Sequence, residues 1–134
     1  MEEYRHKLDF LVRDYECDLE GIVNNAVYMH YLEHARHEFL KTLEIDFSEF
    51  SKNNINLVVV KAELNYKKYL TSGDRFWVGT NLSRFSPLRF AFNQTIHLYP
   101  DDKVALTAFT VCTAIDERKK PILPEKIKNL FENN

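Results

Sequence analysis

The chain has 134 residues, and its 18 basic and 20 acidic side chains give a formal net charge of −2 at pH 7. This length suits one domain with its own apolar core, so we expect a single domain over residues 1–134. A nearly neutral chain has no electrostatic preference for nucleic acid or for an anionic membrane, and we expect neither as a partner.

The first seven residues, MEEYRHK, are charged, and no later stretch is as long and apolar as a membrane-spanning helix. We therefore expect a cytoplasmic protein. Cys17 and Cys112 form neither a disulfide framework nor a zinc-ligand spacing, which predicts ordinary reduced thiols. A nucleophilic role for Cys17 stays open at this point because Cys17 adjoins Asp18.

The first half of the chain predicts a strand, a turn and a long helix. Leu8, Phe10 and Val12 share one face of a strand over residues 4–14, and a turn follows over 15–25. Apolar residues then recur at helical spacing, which predicts an amphipathic helix over 26–43 with one buried face. These residues are Tyr28, Tyr31, Leu32, Ala35, Phe39, Leu40 and Leu43. A short second helix is expected over 46–52.

The second half of the chain predicts four strands, over residues 56–66, 75–85, 88–99 and 104–115. Phe90, Phe92, Ile96 and Leu98 alternate along one of them, and the polar Gln94 interrupts this apolar set. The order of strand, helix and four strands predicts an α+β fold in which a five-stranded antiparallel sheet packs on one long helix.

The turn that precedes the long helix carries the main chemical signal. Asp18 stands before Gly21, and the helix opens a few residues later. A helix N-terminus offers unpaired N–H groups to a developing oxyanion, and a carboxylate nearby can act as nucleophile or general base. The plainer alternative is that Asp18 only ties its own turn together, as short acids often do.

A longer motif runs from Asp18 to Arg36: Asp-x-x-Gly-x-Val, then Asn-Asn-x-x-Tyr, then Tyr-Leu-Glu-x-Ala-Arg. This motif resembles the signature of hotdog-fold thioesterases of the 4-hydroxybenzoyl-CoA thioesterase type, and acyl-ACP thioesterases share part of it. The resemblance implies a hotdog fold, in which the antiparallel sheet wraps around one central helix. It also implies hydrolysis of an acyl thioester to a free acid and a thiol.

The resemblance assigns two catalytic positions. Asp18 falls on the residue that attacks the thioester or activates water, and Asn25 falls on the helix start whose backbone N–H polarises the thioester oxygen. Relatives have a histidine either at the position of Asn25 or at that of Ile22, so any mechanism that needs a histidine at either place is excluded.

Further residues are expected to bind substrate. Gly21 could allow close approach of the substrate or simply form a turn, and Tyr28 could line the acyl pocket or simply pack in the core. The resemblance implies a basic rim for the CoA nucleotide, for which the candidates are Arg84, Arg89, Lys119 and Lys120.

A metal site on the helix is a further alternative, because His30, His34 and His37 lie at i, i+4 and i+7. The run is not His-Glu-x-x-His and no second cluster supplies further ligands, which favours a solvated or subunit-contacting helix face. We expect neither a metal nor a cofactor.

A single curved sheet leaves backbone groups unpaired at its edges, which predicts a homodimer. The resemblance implies a homodimer or homotetramer with active sites at the subunit interface. The leading function is an acyl-CoA thioesterase, and an acyl-ACP thioesterase is the alternative. A non-catalytic acyl-thioester binding protein stays open because the histidine of the run is missing. A dehydratase is disfavoured, since no short segment pairs an aspartate with a histidine as hydratases do.

Overall fold

The computed structural model describes residues 3–132. Strand β1 (His6–Leu11) leads through a single 3-10 turn (Asp14–Glu16) into the 18-residue helix α1 (Asn25–Thr42). The remaining elements are α2 (Phe47–Lys52), β2 (Asn56–Tyr66), β3 (Arg75–Ser86), β4 (Arg89–Leu98), β5 (Lys103–Ile115), β6 (Pro121–Ile122) and α3 (Glu125–Glu132).

The strands form one antiparallel sheet in the order β1-β3-β4-β5-β2, and the short β6 pairs with the end of β5. The sheet therefore has six strands where the sequence predicted five, and both β6 and α3 were missed. Strand β2 lies at an edge, and its pairing with β5 shifts register between Val59 and Lys61, which marks a β-bulge. The α+β prediction, an antiparallel sheet against one long helix, is confirmed.

Helix α1 buries the face that the apolar spacing predicted. Six of the seven residues, all except Leu43, are buried, and they pack on the inner side of the sheet. The side chain of Asn24 caps the helix by accepting a hydrogen bond from the Ala26 N–H at 3.0 Å. The cap fixes Asn25 as the first residue of α1. Because α1 packs on the sheet, the preceding turn is held at one end of the core.

A second apolar cluster surrounds the C-terminal half of α1. Phe39 and Leu40 pack there with Phe90 and Phe92 of β4, and Ile127 of α3 closes the cluster at 1% exposure. Helix α3 thus covers the end of the core that β6 approaches. Within residues 3–132, no helix is long and apolar enough to cross a membrane.

Candidate active site

Asp18 lies in a tight antiparallel turn whose base is the bridge between Cys17 and Val23. The Asp18 N–H donates to the Ile22 carbonyl at 2.9 Å, and the Gly21 N–H donates to the Asp18 carbonyl at 3.0 Å. Oδ1 of Asp18 accepts a hydrogen bond from the Glu20 N–H at 2.9 Å. The exposed carboxylate is therefore oriented by its own turn, with Oδ2 accepting no hydrogen bond from the residues of 3–132.

Gly21 has a φ of +80°, in the left-handed region that glycine enters without strain. A Cβ built on this residue would meet no atom within 4 Å. Backbone conformation, and not crowding inside the chain, is the reason for glycine here. The open space around Gly21 also leaves room for a substrate next to Asp18.

The start of α1 lies on the other arm of the same turn. The Asn24 N–H donates to the Glu16 carbonyl at 3.0 Å, and the Asn24 carbonyl accepts from the Val27 N–H at 2.9 Å. The Ala26 N–H is satisfied by the Asn24 side chain. In the described part of the chain, the Asn25 N–H finds no acceptor, so the first turn of α1 presents this donor at the positive end of the helix dipole.

The loop between β2 and β3 holds the Asp18 turn in place through backbone contacts with Ile22 and Val23. The Val23 N–H donates to the Leu70 carbonyl at 2.8 Å, and Ile22 forms an isolated bridge with Thr71. Tyr28 is 1% exposed, and its hydroxyl accepts from the Leu70 N–H at 2.9 Å. Tyr28 thus packs in the core, which is one of the two roles that the sequence left open. The other role, contact with the acyl group, stays a prediction.

Sequence reasoning missed the contact between Glu16 and Tyr31. The Tyr31 hydroxyl donates to Oε1 of Glu16 at 2.8 Å, and the same oxygen accepts from the Arg13 N–H at 2.8 Å. Burial, reinforced by this carboxylate, raises the pKa of Tyr31, which keeps the hydroxyl protonated as a donor. The only sequence signal was the tyrosine hydroxyl at Tyr31, on the buried face of α1 that Tyr28 shares. The contact fastens the 3-10 turn to α1.

The four candidate CoA-binding cations lie together at the opposite end of the sheet. Arg84 and Arg89 flank the β3–β4 hairpin, where Nη2 of Arg84 donates to the Pro87 carbonyl at 2.9 Å. Lys119 and Lys120 follow the end of β5. At about 3.3 Å per residue, the length of β3 separates Arg84 from the Asp18 turn by about 30 Å within one chain. The structure therefore does not bring these cations to Asp18 in the same chain.

The two thiols are poor nucleophiles. Burial first, and then the neighbouring Asp14, raises the pKa of Cys17, while burial raises the pKa of Cys112 to about 11. Raised values keep both thiols protonated near neutral pH. This argues against the alternative of a Cys17 nucleophile.

The three histidines of α1 do not converge. His30 and His34 line a cleft of about 560 Å³ between α1 and β1, whereas the His37 ring packs on Phe47 with centroids 4.2 Å apart. Among the side chains that the structure describes, which end at residue 131, no group of three or more His, Cys, Asp or Glu is arranged to hold a metal ion. The histidines are therefore parts of different surfaces.

Comparisons with known proteins define the class of this fold and site. The family profile of the thioesterase-like superfamily matches residues 12–131. The chloroplastic acyl-acyl carrier protein thioesterase ATL3 of Arabidopsis thaliana is 34% identical over 94% of this chain and 67% of its own length. The long-chain acyl-CoA thioesterase FadM of Escherichia coli is 30% identical over 84% of each chain.

A crystal structure of a 1,4-dihydroxy-2-naphthoyl-CoA thioesterase from Synechocystis superposes with a TM-score of 0.86 over 95% of both chains, at 21% identity, which establishes a shared fold. The fold is the hotdog fold that the sequence predicted. The chain belongs to the thioesterase-like superfamily. Thioester hydrolysis, the predicted reaction class, is confirmed.

Proposed function

We propose that this chain hydrolyses an acyl thioester carried by CoA or by acyl carrier protein, with Asp18 as general base or nucleophile and the Asn25 N–H as oxyanion donor. One observation carries the proposal. One short turn carries the exposed Asp18 carboxylate on one arm and the Asn25 N–H on the other. The carboxylate is oriented by the turn, and the N–H has no acceptor among the described residues. Hydrolysis of a thioester needs these two groups in combination.

The chemistry begins with the carbonyl oxygen of the substrate at the Asn25 N–H. As a nucleophile adds to the carbonyl carbon, negative charge grows on that oxygen, and the N–H and the dipole of α1 stabilise the charge. In one route Asp18 removes a proton from water, whose oxygen adds to the carbon. The C–S bond then breaks, the thiolate takes up a proton, and the acid is released.

In the second route the Asp18 carboxylate itself adds to the carbonyl carbon and expels the thiol, which leaves a mixed anhydride that water then hydrolyses. A single turnover in ¹⁸O-labelled water tests the second route. If water attacks the aspartyl carbonyl of the anhydride, the label enters Asp18 and the released acid carries an unlabelled oxygen from Asp18, whereas the general-base route labels only the released acid.

The oxyanion role of Asn25 belongs to its backbone, and one substitution tests it. Asn25 is the first residue of α1, a position at which proline is well accommodated, and the Asn24 ψ of 138° suits a residue before proline. Asn25→Pro deletes the N–H and should lower kcat by about 10²-fold or more. Asn25→Ala keeps the N–H and should keep kcat. Equal activity of the two variants would remove Asn25 from the mechanism.

The carrier is proposed from relatives of both kinds. ATL3 is named for acyl carrier protein and FadM for CoA. Parallel thiol-release assays with one acyl group on each carrier decide between them through kcat/KM. We propose CoA as the first carrier, and a higher kcat/KM for the acyl carrier protein ester would reverse this order.

We also propose that two copies pair through β2 and share their active sites. Strand β2 is an 11-residue edge strand with Val59 and Val60 at 50% and 43% exposure, which is a long apolar edge for a single chain. A twofold axis at this edge makes the two strands antiparallel. Light scattering at micromolar concentration should give at least twice the chain mass, and a monomer would contradict the proposal.

This pairing would bring the distant cations to the catalytic turn. The Asn56 end of β2 pairs with Ile115, close to the loop of Lys119 and Lys120, whereas the other end of β2 continues to Leu70 beneath the Asp18 turn. In an antiparallel pair, the cationic end of one copy faces the Asp18 end of the other. The CoA phosphates would then contact cations of the partner subunit.

A further inference from the structure

Arg36 is a partly buried cation on α1. Its Nη1 donates to Oε1 of Gln94 at 3.2 Å, and its guanidinium lies 5.9 Å from the centre of the Phe92 ring. Within residues 3–132 it makes no ion pair with a carboxylate. A guanidinium has five N–H donors. Nε and Nη2 of Arg36 have no partner among the described residues and are not fully buried, so a ligand oxygen can reach them.

Gln94 holds the Arg36 guanidinium in place. The Gln94 side chain is 1% exposed on β4, and its Nε2 donates to the Leu32 carbonyl at 3.0 Å and to the Thr80 hydroxyl at 3.2 Å. These two bonds fix the amide so that its oxygen faces Arg36. Gln94, the polar residue that interrupts the apolar set of β4, therefore positions the Arg36 guanidinium.

Arg36 also separates two cavities along the groove between α1 and β2. One cavity, of about 20 Å³, is bounded by Met29, Leu32 and Leu64, and the other, of about 70 Å³, extends to His37 and Phe47. Arg36 and Val59, which is next to the bulge of β2, line both. The groove begins one helical turn after Asn25 and is mainly apolar, with Arg36 in its middle.

We propose that this groove holds the acyl chain and that Arg36 is a specificity-determining residue, which selects acyl groups that carry a hydroxyl or carboxylate oxygen far from the thioester. The inference rests on the proposed function of the Asp18 turn. Arg36 lies eleven residues beyond Asn25, or about 16 Å along the helix axis, and its side chain leans back toward the N-terminus. The guanidinium therefore meets distal carbons of the acyl chain and not the thioester itself.

The test compares matched acyl-CoA pairs of equal chain length. Decanoyl-, dodecanoyl- and tetradecanoyl-CoA are assayed beside their ω-hydroxy and ω-carboxy counterparts, using the native protein, Arg36→Met and Arg36→Lys. For at least one chain length, the native protein should prefer the oxygenated ester. Arg36→Met should lower this preference by about tenfold or more, since it removes a hydrogen bond from a charged group. Arg36→Lys should retain part of it.

Lys41→Met is the matched control, because it removes an exposed cation from the same helix and should leave the preference unchanged. If Arg36→Met keeps the same preference for oxygenated esters and still turns over the unsubstituted esters, the inference is overturned and the proposed function stands. Loss of oligomer mass in Arg36→Met by light scattering also overturns it, because a second copy would then supply the missing acceptor. Failure of the native protein to turn over any ester overturns both.

Discussion

The hydroxyl of Tyr28 accepts a hydrogen bond from the backbone N–H of Leu70 at 2.9 Å, and Leu70 is fully buried. This contact joins α1 to the loop whose Leu70 carbonyl in turn holds Val23 at the base of the Asp18 turn. Leu70 therefore connects a core tyrosine of α1 to the Asp18 turn through its N–H and its carbonyl.

The first prediction removes that contact. Tyr28→Phe keeps the ring in the core and leaves the buried Leu70 N–H without its acceptor, so the free energy of unfolding should fall by about 1–3 kcal/mol. Urea denaturation measures the change. Tyr69→Phe, at a tyrosine that is 60% exposed, is the control and should change little. Equal stability of the two variants would mean that the bond to Leu70 contributes nothing.

The second prediction concerns the backbone of the Asp18 turn. Gly21→Ala meets no neighbouring atom but forces a φ of +80° on alanine, which should lower the free energy of unfolding by about 1 kcal/mol and reduce kcat. Gly73→Ala has the same backbone requirement, with a φ of +86°, in the loop that supports the Asp18 turn but does not itself carry Asp18. It should lose similar stability and lower kcat less than Gly21→Ala does. A normal kcat in Gly21→Ala would show that Asp18 tolerates a distorted turn.

The third prediction concerns pH. Burial lowers the pKa of His6 and of His37, partly opposed by Glu38 for His6 and by Glu33 for His37. An unfolded histidine titrates near pH 6.5, so below this pH the unfolded chain binds more protons than the folded one, and stability falls as pH falls. Because both rings remain partly in contact with solvent, the loss should be modest.

Urea denaturation at several values between about pH 7.5 and pH 5.5 measures how the free energy of unfolding changes across the range in which histidine titrates. The double variant His6→Asn with His37→Asn should lose less stability over this range than the native protein. His30→Asn, at an exposed histidine, should behave as the native protein does. An identical slope in the double variant would show that neither ring resists protonation.

The fourth prediction tests whether the sites are shared between copies. Asp18→Asn is mixed with a second variant that combines Lys119→Ala and Lys120→Ala, and the mixture is dissociated and reassociated. If Asp18 works with the partner's lysines, a mixed dimer contains one intact site, so activity at low substrate should rise above the mean of the parents. Activity at that mean would place the lysines with Asp18 of their own chain, or outside the site.

Much of the fold could be predicted from the sequence, because seven apolar residues recur at helical spacing along α1 and apolar residues alternate in the long strands. The predicted 26–43 and 56–66 agree closely with Asn25–Thr42 and Asn56–Tyr66. The two-residue β6 was missed because so short a strand has no period. Helix α3 was missed although Ile127, Leu130 and Phe131 have helical spacing, because eight residues are shorter than the window over which a helical period is recognised.

The candidate site divides in the same way. The residue types around Asp18 and Gly21 were sufficient to indicate a turn before a helix, because both residues have strong local preferences. Arg36 is outside the apolar set that predicts the buried face of α1, and only the fold shows that it lines the groove beside β2. The distance between the cations and Asp18 was equally hidden, because it depends on the strand order.

The most direct test of the account is thiol release from short, medium, long and aromatic acyl-CoA esters by the native protein, Asp18→Asn and Glu20→Gln. Asp18→Asn keeps an oxygen for the Glu20 N–H and so preserves the turn, while Glu20→Gln removes a neighbouring exposed carboxylate. The account predicts turnover of at least one ester, a loss of about 10²-fold or more in Asp18→Asn, and native activity in Glu20→Gln. Full turnover by Asp18→Asn would contradict it.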